Sequence, residues 1–327
     1  STVSAPGTAV NLTANAANVE LINAGTISSS GGIGVNISAP TGSADVIDFG
    51  SVTGTIGIDV HTSGLGLLNI VVGGGAMITG TNTYGILAIA TAGSLDVTTL
   101  GGTIVNAASA GILAENQGTS VPLANNSSIS VSTQGTINSG STPLGSGNAP
   151  AGIVAGYLGG TSSPASPPNP NVFGNVGVQN NANINAAAGP GINAFNYGTG
   201  DVSVSDGGGA IITATQAGAT LPGFTQYGIS AFNYGSGDTT VTTDFGTTIN
   251  SGGTGINAGN QATAIAASVA STVSVVSFGT VNSGANLDNS GSTPAGILAG
   301  FNPGNAGLFN ANVAGDVGNV TLTDVTF

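Results

Sequence analysis

A short motif recurs along the chain of 327 residues and constrains its fold more than any other feature. The motif is Gly-Ile, then any residue, then a small or apolar residue, and seven of its nine copies read Gly-Ile-x-Ala. Spacings of 25–28 and 37–41 residues separate the copies, which predicts a solenoid of stacked equivalent units. The nine copies begin at Gly32, Gly57, Gly85, Gly111, Gly152, Gly191, Gly228, Gly255 and Gly296.

Each repeat contains three short apolar pieces separated by glycine, asparagine or serine. The first piece alternates, as in "DVSVS" and "STVSV", the second is "TI" or "TV", and the third is the Gly-Ile-x-Ala piece. Alternation with a period of two between turn residues is typical of short β-strands. Strands this short cannot enclose a core as hairpins, so each is expected to pair in parallel with its equivalent about 4.8 Å away in the next repeat. The sequence therefore predicts an all-β, parallel β-helix with three strands per coil and nine to ten coils, forming one domain over residues 1–327.

The longer repeats contain segments rich in glycine, proline and serine, which are typical of surface loops. Three of them precede a Gly-Ile motif and are expected to cluster at one corner of the coil, whereas the fourth lies at a different corner. The four predicted loops are residues 139–151, 213–227 and 283–295 at the first corner and residues 159–171 at the second.

The charge of the chain excludes two classes of partner. Its 13 ionised side chains are all acidic, giving a net charge of −13 without any Lys or Arg. Nucleic-acid binding requires cations that displace counterions from phosphates, and a polybasic patch is needed to attract anionic membranes. No apolar run approaches the roughly 18 residues of a membrane span, so this segment is not expected to insert into a bilayer.

Asparagine recurs at two corners of the predicted coil. Stacked asparagines can bond to their neighbour's side-chain amide and to the turn backbone, and asparagine tolerates tight corners. We therefore predict structural ladders, with ligand binding as the alternative. One set lies five residues after the motif glycine, at Asn116, Asn196, Asn233 and Asn260, and the other follows the "TI" piece, at Asn138, Asn185, Asn250 and Asn282.

The stretch "FNYG" occurs in two successive repeats, at 195–198 and again at 232–235. The repeat register predicts that Phe195 stacks near Phe232, that Tyr197 stacks near Tyr234, and that all four rings point outward. Such a column could bind a glycan or another protein, or it could be covered by a loop. Outward aliphatic residues on the same face, such as Leu113 and Leu298, predict either covering loops or lateral contact with another rod.

Two aspartates, Asp201 and Asp238, occupy equivalent positions in adjacent repeats. Carboxylates about 4.8 Å apart repel each other, so one pKa would rise or the pair would hold a cation such as Ca²⁺. The same pair, or Asp45 with Asp48, could supply the two carboxylates of a glycoside hydrolase. The only histidine, His61, cannot form a metal site alone and is expected at a surface corner. We expect no cofactor.

The repeat pattern "GI-x-A-x-N-x-G-x-G-D-V-x-V", followed by "G-T-I", resembles the passenger regions of autotransporters and of filamentous-haemagglutinin-type exoproteins of Gram-negative bacteria. The resemblance covers the chain from about Asn18 to Phe327 and carries over no catalytic residue. It implies a right-handed, three-sided parallel β-helix displayed at or released from the cell surface. The chain departs from the family in lacking Lys, Arg and a C-terminal membrane barrel, so we expect a processed passenger, a fragment or part of a two-partner system.

These observations lead to one expected function and one alternative. We expect a non-enzymatic extracellular or cell-surface protein of a Gram-negative bacterium, acting as an adhesin stalk or as a building block of a surface fibre. Its expected partners are other copies, stacked end to end or laterally, or a surface glycan or protein. The alternative is a glycan-processing β-helix enzyme that uses the stacked aspartates.

Overall fold

The computed structural model describes residues 1–144, 149–161, 164, 168–215, 225–261, 271–286 and 294–301, and the backbone of 319–324. Parts of all four predicted loops, within 139–151, 159–171, 213–227 and 283–295, lie outside the described residues. The neighbouring strands place three of these loops before a Gly-Ile strand and the remaining loop, 159–171, after one.

Two sheets contain all 28 strands of the described chain, and every pairing between named strands is parallel. The smaller sheet, called the Gly-Ile sheet here, contains the Gly-Ile pieces and two equivalent N-terminal strands that lack the motif. Its ten strands are β2 (Val10–Thr13), β5 (Val35–Ala39), β8 (Ile58–Thr62), β11 (Ile86–Ala90), β14 (Ile112–Asn116), β16 (Ile153–Tyr157), β18 (Ile192–Asn196), β21 (Ile229–Asn233), β24 (Ile256–Asn260) and β27 (Ile297–Phe301).

The larger sheet, called the main sheet, consists of two ladders. The alternating pieces form β3 (Val19–Asn23), β6 (Ala44–Asp48), β9 (Leu68–Val72), β12 (Leu95–Thr99), β19 (Val202–Asp206), β22 (Thr239–Thr243), β25 (Thr272–Ser277) and β28 (Asn319–Asp324). The "TI" pieces form β1 (Thr2–Ala5), β4 (Thr26–Ser29), β7 (Ser51–Gly54), β10 (Met77–Gly80), β13 (Ile104–Ala107), β20 (Ile211–Ala214), β23 (Thr248–Ser251) and β26 (Thr280–Asn282). Two long strands, β15 (Ser128–Ser139) and β17 (Asn175–Ala186), run through both ladders and join them. Among the described residues, one 3-10 turn lies at Leu123–Asn125.

The register confirms the prediction of an all-β chain of parallel sheets. Ile192 is paired with Ile229 in the next coil, and Ile229 is paired with Ile256. One predicted motif position is wrong, because Val35 pairs with Ile58 and the structural equivalent of Gly57 is therefore Gly34 rather than Gly32. The Gly-Ile pair at Gly32 lies in the turn before β5, two residues before the position that the motif glycine occupies in other coils.

Inward-facing aliphatic side chains form one hydrophobic core that extends from Val19 to Val275. The motif glycine has a direct packing reason. A Cβ atom at Gly191 would collide with Ile212 Cγ2 of the "TI" strand and with the Gly228 carbonyl oxygen, and Gly228 is crowded in the same way by Ile249. These motif glycines therefore leave space for the isoleucine of the "TI" strand that follows them in the chain.

Candidate functional site

The aromatic column occupies the outer face of the Gly-Ile sheet. Phe195 in β18 is paired with Phe232 in β21, and both alternate with inward alanines and asparagines. Tyr197 and Tyr234 follow at the ends of these strands. Their rings stack face to face, with centroids 4.0 Å apart and planes 5° from parallel.

The two phenylalanine rings diverge although their backbones are paired, so the predicted contact between them is absent. Phe195 lies over Gly156 of the preceding coil, and Phe232 lies over Gly259 of the following coil. Each ring contacts the tyrosine of its own coil, at centroid distances of 5.9 and 6.0 Å. The missing Cβ atoms of the two glycines leave room on opposite sides, which explains the divergence.

A second apolar layer covers part of this face. Phe195 is only 8% exposed and belongs to a cluster with Leu113, Leu144, Val154 and Leu158. Leu144 and Leu158 come from the segments that flank β16, and the partly buried Tyr197 and Tyr234 pack against the same cluster. Burial raises the pKa of both tyrosines. Phe195, Leu113 and Val154 are therefore covered by residues of the flanking segments, as one of the two alternatives from the sequence proposed. Leu298, at the far end of the face, is 50% exposed.

Asn116, Asn196 and Asn233 point inward and bond to the turn backbone. In each case Oδ1 accepts the N–H of the residue two positions on, at 2.8–3.1 Å. The Nδ2 group of Asn196 donates to Gly174 O at 2.9 Å, and that of Asn233 donates to Gly200 O at 2.7 Å, both in the preceding coil. Asn260 Nδ2 donates to Gly237 O at 3.3 Å. These side chains therefore join successive turns through backbone carbonyl groups.

The amide-to-amide ladder is formed by the outward asparagines that follow the "TI" pieces. Asn138 Nδ2 donates to Asn106 Oδ1 at 2.8 Å, and Asn185 Nδ2 donates to Asn138 Oδ1 at 2.9 Å. Asn282 and Asn250 repeat the contact at 2.9 Å. Thr213 occupies the intervening coil and interrupts the ladder.

Asp201 and Asp238 lie in adjacent coils at one corner, where each carboxylate accepts a backbone N–H from the next coil. Asp201 Oδ1 accepts from Asp238 N at 2.9 Å, and Asp238 Oδ1 accepts from Thr272 N at 2.7 Å. Asn175 begins the same series by accepting from Asp201 N at 2.9 Å. Within the described residues, no three His, Asp or Glu side chains come together in a metal-binding group.

Asp45 and Asp48, the other pair considered for glycoside hydrolysis, point to opposite faces of their strand. Asp45 faces outward and accepts a hydrogen bond from Asn69, whereas Asp48 is 1% exposed and bonds to Asn23. The two carboxylates therefore lie on opposite faces of β6 and cannot flank one sugar. His61 lies within β8 and not at a corner, with Nε2 2.7 Å from Asp59 Oδ1.

A buried polar ladder in the core is the feature that the sequence analysis missed. Thr133 Oγ1 donates to Asn180 Oδ1, and Asn180 Nδ2 donates to Asp206 Oδ1, each at 2.7 Å. Asp206 is fully buried, its Oδ2 has no hydrogen-bond partner, and burial raises its pKa to about 7. In the following coils Thr243 and Ser277 bond to each other at 2.9 Å. The available signal was strand parity, because the last residue of most alternating pieces is inward and polar, as at Asp48, Asn180 and Asp206, with Val72 as an exception.

Glu115 is a second acidic group in an apolar setting. It lies on the outer face of β14, between Ile89 and Gly156 in the register, and its Oε2 accepts a hydrogen bond from Gln117 Nε2 at 3.4 Å. Burial raises the pKa of Glu115 to about 7. Together with Asp206, it is a carboxyl group that titrates near neutral pH.

Comparison with protein-family models, with curated proteins and with solved structures finds no match for this chain. In the described part of the chain, no helix has the length and apolarity needed to cross a membrane.

Proposed function

We propose that this chain is a non-enzymatic rod of the bacterial cell surface or extracellular space, a right-handed, three-sided β-helix that serves as an adhesin stalk or as a building block of a surface fibre. The observation that carries the proposal is the register of the stack. Equivalent residues pair from coil to coil along the chain, and the polar side chains at its corners bond to the backbone of neighbouring coils. These side chains therefore hold the stack together, which is a mechanical role.

The chemistry of the chain supports the same role. The inward asparagines, Asp201 and Asp238 have hydrogen bonds to backbone groups, and the buried Asp206 is enclosed in the core. A chain without Lys or Arg offers no trypsin sites, and closely packed coils open slowly. Both properties suit a durable extracellular material.

Electron microscopy of the purified protein tests the proposal. Ten coils at about 4.8 Å predict a rod of about 45 Å, and self-assembly would convert such rods into filaments many times longer. Isolated rods that bind bacterial or host surfaces would favour the stalk, and filaments would favour the fibre. A compact, non-rod particle would contradict both forms.

A glycan-processing enzyme is the second candidate, and one observation favours keeping it. Asp201 and Asp238 lie beside each other on an accessible corner, as a pair of catalytic carboxylates would. A polysaccharide panel, read by reducing-end and unsaturated-product detection, tests this candidate. Turnover that disappears in both Asp201→Asn and Asp238→Asn would replace the rod proposal with an enzymatic one.

A further inference from the structure

An exposed apolar surface, called the N-terminal patch here, lies on the outer face of the main sheet. Its residues come from four consecutive coils, about 14 Å along the rod at 4.8 Å per step. Ile22, Phe49 and Met77 are 63%, 54% and 44% exposed. The full patch consists of Ile22, Ile47, Phe49, Val71, Met77, Leu100 and Ile104.

The register places these residues next to one another. Ile22, Ile47 and Val71 are successive partners in the first ladder, and Met77 is paired with Ile104 in the second. Phe49 extends over Gly73 of the next coil, where a Cβ atom would collide with its ring. The apolar side chains therefore form a continuous surface across both ladders of the main sheet.

The fold does not require apolar residues at these positions. In the coils that follow the patch, the position equivalent to Ile22 is occupied by Ser132, Gln179, Ser205 and Thr242, each with the same outward orientation, before Val276 takes that position. Of the twelve large apolar side chains that are well exposed in the described chain, nine precede residue 124. The well-exposed large apolar side chains are therefore concentrated in the N-terminal part of the described chain, and exposed patches of this kind mark interaction sites.

A row of acidic residues borders the patch in the same coils. Glu20 and Asp45 are register partners, Asn69 follows and bonds to Asp45 at 2.8 Å, and Asp96 comes next. These side chains lie two residues before Ile22, Ile47, Val71 and Thr98, on the same face of each strand. Farther along the rod the row becomes Ser130, Gly177, Ser203 and Thr240, so the negative charge ends where the apolar surface ends.

We propose that the N-terminal patch and its acidic row bind a basic amphipathic segment of another protein, with aliphatic side chains on the patch and Lys or Arg against the row. Charge complementarity identifies the partner class. A second copy of this chain contains no Lys or Arg to place against Glu20, Asp45 and Asp96. An anionic membrane would be repelled in the same way. The binding surface is inferred independently of the proposed rod function, to which it adds a partner class.

Fluorescence anisotropy with three synthetic probe peptides tests this inference on the whole chain. The probes are an alternating Leu-Lys peptide, a Leu-Glu peptide and a Ser-Lys peptide of equal length. We expect binding of the Leu-Lys probe alone at physiological salt, and weaker binding as salt is raised, because exposed charge pairs are screened. Equal binding of the Leu-Glu probe, or no binding of the Leu-Lys probe, would overturn the proposal.

Variants locate the binding surface. The double variant Ile22→Ser and Phe49→Ser should weaken Leu-Lys binding at least about tenfold, as should Asp45→Asn combined with Asp96→Asn. The control is Phe245→Ser, which removes a 62% exposed ring in a distant coil and should leave the affinity unchanged. Unchanged far-UV circular dichroism shows that each variant is folded. An affinity that is insensitive to both double variants would contradict the assignment.

Sedimentation velocity separates this inference from self-association and from the proposed function. A concentration-dependent dimer that Ile22→Ser with Phe49→Ser abolishes would show that the patch binds a second copy, and it would overturn the inference. The rod dimensions seen by electron microscopy would be unaffected by that result. A non-rod particle would contradict the proposed function while leaving the peptide measurement valid.

Discussion

At the scale of single residues, the packing of the core leaves little space around the motif glycines and the buried polar side chains. At Gly191 and Gly228, an isoleucine of the following "TI" strand and the carbonyl of the next motif glycine lie where a Cβ would stand. Buried polar residues are packed just as tightly, and Asp206 has one carboxylate oxygen, Oδ2, without a hydrogen-bond partner. Small chemical changes at these positions should therefore have large effects.

Replacing Gly191 with alanine should destabilise the protein by about 1–3 kcal/mol, the usual cost of overpacking a core. The added methyl group would press on Ile212 and on the Gly228 carbonyl. Urea unfolding measures the change as a shift of the midpoint. Gly7→Ala is the matched control, because a Cβ at Gly7 meets no atom within 4 Å. Equal effects of the two substitutions would show that the glycine is not there for packing.

Asp206 should make the protein less stable as pH rises. Its pKa is about 7 in the folded state and about 3.9 when unfolded, so the folded state binds the extra proton. The stabilisation is complete below about pH 4 and is lost as pH rises through about 7. Burial also raises the pKa values of Glu115 and Asp48, which adds to the same trend, and Asp244 is the charged neighbour that acts on Asp206.

Urea midpoints at pH 5 and pH 8 test this expectation. The unchanged protein should have the lower midpoint at pH 8, and Asp206→Asn should reduce the difference, since the amide cannot ionise. Asn185→Ala changes an exposed side chain without a carboxyl group and should leave the difference nearly intact. A midpoint that rises from pH 5 to pH 8 would contradict the assigned direction.

At the scale of elements, two sets of asparagines lie at the corners of the coil, and the sequence alone does not show that the two sets bond to different groups. Asn196 is buried and bonds to backbone groups of its own turn and of the preceding coil, whereas Asn185 is exposed and bonds to another side chain. Removing a buried partner leaves unsatisfied backbone groups, and removing an exposed one leaves groups that water can satisfy. The two kinds of ladder should therefore differ in energetic importance.

Asn196→Ala should cost about 2–3 kcal/mol because several buried bonds are lost together, and Asn185→Ala should cost less than about 1 kcal/mol. Thermal unfolding followed by circular dichroism at 218 nm, the usual β-sheet band, measures both variants under the same conditions. A loss for Asn185→Ala as large as that for Asn196→Ala would mean that the exposed ladder also carries stability.

At the scale of the whole molecule, all 13 acidic side chains carry the same sign of charge when ionised, and no Lys or Arg compensates them. Their mutual repulsion opposes a compact state, and salt screens that repulsion. Raising sodium chloride from 10 mM to 500 mM at pH 7 should therefore raise the melting temperature by roughly a few degrees. Differential scanning calorimetry checks this. A fall in melting temperature with salt would indicate net favourable electrostatics, contrary to the composition.

The sequence by itself determined the stack. The repeated Gly-Ile piece and the alternating piece fix strand parity and register, because slipping by one residue would turn every core side chain outward. The pairing of Ile192 with Ile229, the neighbouring positions of Tyr197 and Tyr234, and the adjacent positions of Asp201 and Asp238 all follow from that periodicity.

Only the tertiary structure decided what each side chain touches. Phe195 and Phe232 diverge because glycines in other coils, Gly156 and Gly259, leave room for their rings. Asp206 is buried because it faces the core, where it bonds to Asn180 of the polar ladder. The N-terminal patch forms because outward residues of both ladders of the main sheet lie next to one another. These arrangements depend on neighbours one or more repeats away in the chain, and a periodic pattern places such neighbours without specifying how their side chains fill the space between them.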